Sequence, residues 1–112
     1  MITIKNRVIP FKGFKAINLF GIVFTRYPLN KVDENHERIH TAQMRELGYI
    51  PFYILYILEF LALCFWYGTS DDAYRNISFE REAYAYQRDF TYLTRRKHFN
   101  QWRKGTPKRK RN

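Results

Sequence analysis

Residues 49–67 (YIPFYILYILEFLALCFWY) hold one charged side chain, Glu59, and one proline near their start. A run this long and this apolar must be removed from water along much of its length. As a helix, residues 50–67 would extend about 27 Å, close to the hydrocarbon thickness of a bilayer. Glu59 falls near the middle, where a carboxylate facing lipid costs roughly 3 kcal/mol. Two arrangements satisfy the run. One is a spanning helix that carries a buried acid. The other is a helix packed within the protein or lying at a bilayer surface.

The rest of the composition bounds the answer. At 112 residues the chain suits one domain with one modest core. Ten Phe and nine Tyr raise the aromatic share to 19%, a composition suited to surfaces that are half wet and half apolar, membrane interfaces included. The net charge of +10 is uneven: nine of the twenty Lys and Arg lie in residues 95–112, which hold no acid. The expected organisation is a single domain over residues 1–103 and a disordered basic tail over residues 104–112. Cys64, the one cysteine, cannot form an internal disulfide and reads as a small buried hydrophobe. The N-terminus lacks the continuous apolar stretch of a secretory signal peptide, so the expected location is membrane-associated or cytoplasmic.

Residues 1–28 read as strands. Ile2 and Ile4, then Val8 and Ile9, then residues 16–26 (AINLFGIVFTR) are rich in β-branched and aromatic side chains. Pro10 and Lys12-Gly13 form a turn between the early runs. The last run reads as one strand, with Leu19, Gly21 and Val23 on one face and Phe20, Ile22 and Phe24 on the other; Gly21 marks a bulge or a close backbone approach. A helix is expected to start near Asp33 or Asn35 and stop at Gly48. Residues 68–77 read as a polar turn. A further helix is expected from Ser78, as N-cap, to about Leu93.

Within the first helix, His36-Glu37-Arg38-Ile39-His40 places two imidazoles one turn apart, about 6 Å along the axis and on one face. Both can reach one metal ion. Glu37 can then point at the metal's water and act as general base. Gln43, three residues after His40, shares its face and could hold a ligand or the substrate. A catalytic zinc needs three protein ligands and an open position. A third histidine close behind the pair is absent: His98 lies far on, in the basic segment. Cys64 belongs to the apolar run. A carboxylate on a later helix remains, and Glu80 and Glu82 both offer one. They stand about 200° apart round a helix, so both cannot ligate.

The pattern here resembles gluzincin-type peptidases, in which the His-Glu-x-x-His helix is followed by a helix bearing Glu-x-x-x-Asp or Glu-x-Glu-Ala-Asp. This chain has Glu80-Arg81-Glu82-Ala83-Tyr84. The resemblance implies Glu80 as the third ligand, with Glu82 as the alternative. Tyr84 replaces the family's aspartate, which supports a ligand histidine, and brings no charge to that place. The two motifs, with an apolar helix between them, are also similar to a family of small uncharacterised bacterial proteins over most of residues 9–102. The resemblance implies a zincin-like α+β fold: short N-terminal strands or a hairpin, the His-Glu-x-x-His helix, the long apolar helix, and a C-terminal helix bearing the third ligand. By analogy, the strand at residues 19–26 is the edge that pairs with a substrate backbone.

One zinc shared by His36, His40 and Glu80 forbids residues 50–67 from threading a bilayer alone, because the ligands would then lie on opposite sides. The apolar helix is therefore expected to fold back along the His-Glu-x-x-His helix, with Glu59 pairing an arginine, supporting a ligand or snorkelling to water. The expected function is a zinc-dependent metallopeptidase acting on peptides or proteins, with one Zn2+. Glu37 is the general base, and Tyr84, Tyr74 or His98 stabilises the oxyanion. The alternative is a non-catalytic membrane-associated or interaction protein. Expected partners are a peptide substrate, an anionic membrane surface through residues 95–111 and a second copy of the chain; the basic tail is a weak signal for nucleic acid.

Overall fold

A computed structural model describes residues 2–6 and 16–96. The chain is α+β. Three short strands, β1 (Ile2–Lys5), β2 (Ala16–Leu19) and β3 (Ile22–Thr25), precede the helices α1 (Lys31–Leu47), α2 (Ile50–Tyr67), α3 (Ser70–Asn76), α4 (Ser78–Tyr86) and α5 (Tyr92–Arg95). The sheet order is β1-β3-β2, with β1 parallel and β2 antiparallel to β3. The expected strand run at Val8 and Ile9, its turn, His98 and the basic tail from residue 97 lie outside the described residues.

Residues 16–26 do not form one strand. Phe20 (φ 55°) and Gly21 (φ 90°) make a two-residue turn, and the run folds into a hairpin. Both positive φ values suit the right-handed twist of the flanking strands. The left-handed conformation costs a residue like Phe20 roughly 1–2 kcal/mol. Its ring recovers contact with Tyr53 at 5.3 Å, and its backbone N–H donates to the Tyr53 hydroxyl at 2.9 Å. A side chain at position 21 would begin 3.5 Å from the Thr41 methyl, so the turn lies close on α1. Asn18 secures this contact: its amide donates to Glu37 O at 3.0 Å and to Thr41 Oγ1 at 2.9 Å. β3 is consequently the centre of the sheet, and the edge strand beside α1 is β2, not residues 19–26.

Cap chemistry sets the helix ends. α1 starts earlier than expected because Asn30 and Asp33 form a reciprocal capping box, and it ends at Gly48 in the left-handed conformation (φ 82°). Residues 68–77 are not simply a turn. Thr69 accepts from the Asp72 N–H and starts α3. α4 is shorter than expected. Asn35 donates to the carbonyls of Tyr86, Gln87 and Asp89, at 3.2, 2.9 and 3.1 Å, and this turns the chain away after Tyr86. Ser78 does not cap α4; it is the first helical residue, and the cap comes from across the molecule. The Glu59 carboxylate accepts from the Ser78 backbone N–H and, at 2.8 Å, from the Ser78 hydroxyl. Glu59 thus neither pairs an arginine nor supports a ligand. It offers negative charge to a buried helix start.

The core has two buried clusters joined by α1 and α4. Met44, Phe52, Ile77 and Phe79 form one; Ile39, Ala83 and Tyr92 form the other. α2 packs chiefly on α3 and to a lesser extent on α1, so the expected folding back is onto α3. Among the described residues α2 is the one helix long and apolar enough to cross a membrane, and only 11% of it is buried.

Candidate metal centre

His36 and His40 project from one face of α1, and Glu80 reaches them from the first turn of α4. The Nε2 atoms of the two histidines are 3.1 Å apart, and Glu80 Oε1 lies 3.1 Å from His36 Nε2 and 3.0 Å from His40 Nε2. All three residues are buried. Glu82, the alternative ligand, points elsewhere.

The surroundings fix which atoms face inward. Gln43 uses its amide nitrogen twice, donating to Phe79 O at 3.0 Å and Glu82 Oε1 at 2.9 Å. Its oxygen is therefore the atom that accepts from His40 Nδ1–H at 2.8 Å. Gln87 Oε1 sits 2.9 Å from His36 Nδ1 in the same role. With each Nδ1 donating outward, each Nε2 keeps its lone pair for the centre. The Tyr56 hydroxyl donates to Glu80 Oε2 at 2.6 Å, leaving Oε1 for the histidines. In the neutral tautomers so fixed, two lone pairs and a carboxylate oxygen converge on one point. Ligand atoms of a tetrahedral zinc at about 2.05 Å stand ~3.3 Å apart. The donor set and its spacing fit a metal ion.

Electrostatics agree with a cation-seeking site. Burial, the largest influence on His40, lowers its pKa; the charge and hydrogen bond of Glu80, with Glu37 and Gln43, outweigh it and push His40 up to about 9. Burial would raise the Glu80 pKa, but His40 and His36 hold the carboxyl well below the usual range. Glu37 is raised, chiefly by burial. Its carboxylate makes no hydrogen bond or ion pair with a described residue, and it lines the cleft beside both histidines.

Behind the site runs a buried charged chain. Arg96 donates from Nε and Nη2 to the two oxygens of Glu82 at 2.6 and 3.0 Å, and from Nη1 to Glu46 at 2.7 Å. Its side chain is 3% exposed and both acids are fully covered. Tyr92 also donates to Glu82, at 2.5 Å. Glu82 therefore supports the candidate ligands through Gln43, since it orients the amide that holds His40.

Two concavities meet at the metal centre. One, of about 450 Å³, is bounded by β2, by His36, Glu37, His40 and Glu80, and by Phe52, Tyr53, Tyr56 and Phe60 of α2. The other, of about 460 Å³, shares His36, Glu37 and Tyr74 and adds Asp33, Ser70, Asp71 and Tyr84. Tyr84 touches His36 with its ring, 4.6 Å between centroids, while its hydroxyl meets that of Tyr74 at 3.1 Å. It takes no part in orienting a ligand nitrogen, which Gln43 and Gln87 do.

Sequence reasoning singled out Gln43 but not Gln87, Tyr56, Arg96 or Glu46. Tyr56 sits among aromatics at helical spacing and reads as core. Gln87 and Arg96 follow chain breaks that no local signal marks. Compared with protein-family models, curated proteins and solved structures, the chain matches none.

Proposed function

We propose that the chain is a zinc-dependent peptidase of gluzincin type. One observation carries the reading: the two imidazoles and Glu80 converge with their outer atoms already engaged, while Glu37 stands free beside them. His36, His40 and Glu80 would hold the ion. Bound there, zinc polarises a carbonyl oxygen and makes a water more acidic. Glu37, its pKa raised by burial, takes the proton of the attacking water and passes it to the leaving amine. Tyr74 and Tyr84, on the polar side, are placed to donate to the carbonyl oxygen as negative charge grows there. Among the described residues β2 has a neighbour on one side only, and its other edge borders the cleft, so a substrate strand can pair with it. The Asn18 carbonyl already accepts from the Tyr53 hydroxyl at 2.9 Å, which leaves the Ala16 end of the edge for that pairing.

Metal analysis with peptide hydrolysis tests the reading. The purified chain should hold one zinc, lost in His40→Ala and in Glu80→Ala. Glu37→Gln should keep the zinc and lose hydrolysis by about a hundredfold or more. Undiminished hydrolysis by Glu37→Gln would overturn the mechanism. The second reading, a non-catalytic membrane-associated protein, is favoured by the exposed apolar face of α2. A chain that binds no zinc even when it is added would decide for it.

A further inference from the structure

Every exposed residue of α2 is apolar. Ile54, Ile57, Leu58, Leu61, Phe65 and Trp66 are each more than half exposed and follow one side of the helix. That side carries no charge, hydroxyl or amide, because Glu59 is turned inward to cap α4. A protein-binding patch normally offers hydrogen-bonding groups at intervals across its area; this one is hydrocarbon except for the Trp66 indole at its end, a side chain suited to a bilayer interface. α2 does not span a bilayer. Glu37 and Glu80 face Tyr56 and Phe60 at its middle, and a spanning arrangement would carry these acids into the hydrocarbon. Beyond the ion-paired Arg95 and Arg96, residues 97–112 bring seven bases and no acid, a charge complement to anionic headgroups.

We infer that α2 lies in the plane of an anionic bilayer with its outer half immersed, and that the cleft on its inner side serves peptides held at that surface. The inner side supplies Phe52, Tyr53, Tyr56 and Phe60 to the cleft wall. A helix is about 10 Å across, so lipid and metal centre stand on opposite sides of a single helix. An apolar substrate segment leaving the bilayer meets an apolar cleft first, and its more polar continuation meets the side lined by Asp33, Ser70 and Asp71. The docking stands by itself, whereas the choice of substrate rests on the peptidase reading.

Co-sedimentation of the full chain with phosphatidylcholine vesicles, with and without phosphatidylglycerol, tests the docking. Binding should be stronger on the anionic vesicles. Leu58→Glu with Leu61→Glu should weaken it on the order of a hundredfold, since each leucine's burial carries roughly a tenfold effect or more. Helical circular dichroism and zinc content should stay unchanged. Undiminished binding by that variant would overturn the docking. So would a wild type that never sediments but is a dimer, made monomeric by the same substitutions; a second copy would then cover the face. In the second arm, one peptide is offered free and anchored to vesicles by an acyl chain. The wild type should prefer the anchored form, and the variant should lose that preference while cleaving the free peptide at an unchanged rate. Equal rates on both forms would overturn the choice of substrate. No cleavage of either would remove the peptidase reading while sedimentation still judges the docking.

Discussion

At the scale of single residues, His40 holds the most testable chemistry. In the metal-free protein its pKa rises from 6.5 to about 9: burial opposes the shift, and Glu80's charge and hydrogen bond, Glu37's charge and Gln43 more than offset it. A group whose folded pKa is raised stabilises the fold fully below its unfolded pKa and loses that contribution as pH rises through the folded value. The chelator-treated protein should therefore lose stability between pH 6.5 and about 9, on the order of 3 kcal/mol, as read from urea midpoints across that window. Glu80 acts with the opposite sign, its stabilisation fading as acid protonates it. The same proton competes with a metal ion, so zinc added near neutral pH should release protons. A flat metal-free stability profile between pH 6.5 and 9 would show that the His40–Glu80 pair is not formed.

At the scale of elements, α4 is the part most elaborately held. Glu59 caps its start, Asn35 takes the carbonyls at its end, and Arg96 pulls Glu82 from its middle toward Glu46 of α1. A short helix such as this has little stability of its own, so its position depends on these ties. Arg96→Met takes the buried cation away from Glu82 and Glu46, whose carboxylates stay covered. It should cost about 3–5 kcal/mol in urea unfolding, with part of the loss recovered at acid pH as the carboxylates protonate. A cost of a few tenths of a kcal/mol would mean that the segment after α5 is not seated here.

At the scale of the whole molecule, the fold divides its interior into two modest clusters, and the metal site joins the helices that carry both. His36 and His40 come from α1 and Glu80 from α4, so an ion held by all three cross-links the two sides. A ligand bound only by the folded state stabilises it in proportion to the logarithm of its concentration over Kd. Stripping zinc should lower the melting temperature by about 10–20 °C when zinc was present at ~100 times Kd. An unchanged melting curve in chelator would remove the ion from the account of stability.

The sequence by itself determined the spacing-dependent features. A one-turn separation put His36 and His40 on one face, Gly48 ended α1, and an unbroken apolar run had to become α2. These follow from helix period and local backbone preference, which act over a few residues. The same logic misjudged residues 16–26, because Phe-Gly is not a strong turn pair and its conformation is held by Tyr53 and Thr41 from elsewhere. It also passed over α3, whose Thr69 cap lay in a polar stretch. Tertiary structure alone decided that Glu82 stands behind the ligands and not among them, that Glu59 caps a helix, and that β2 is the edge on the cleft. It alone placed Gln87, Tyr56 and Arg96 around the His36–His40–Glu80 cluster. Each of these joins residues far apart in the chain, and the match of a donor to an acceptor in a buried place exists only after the elements have packed.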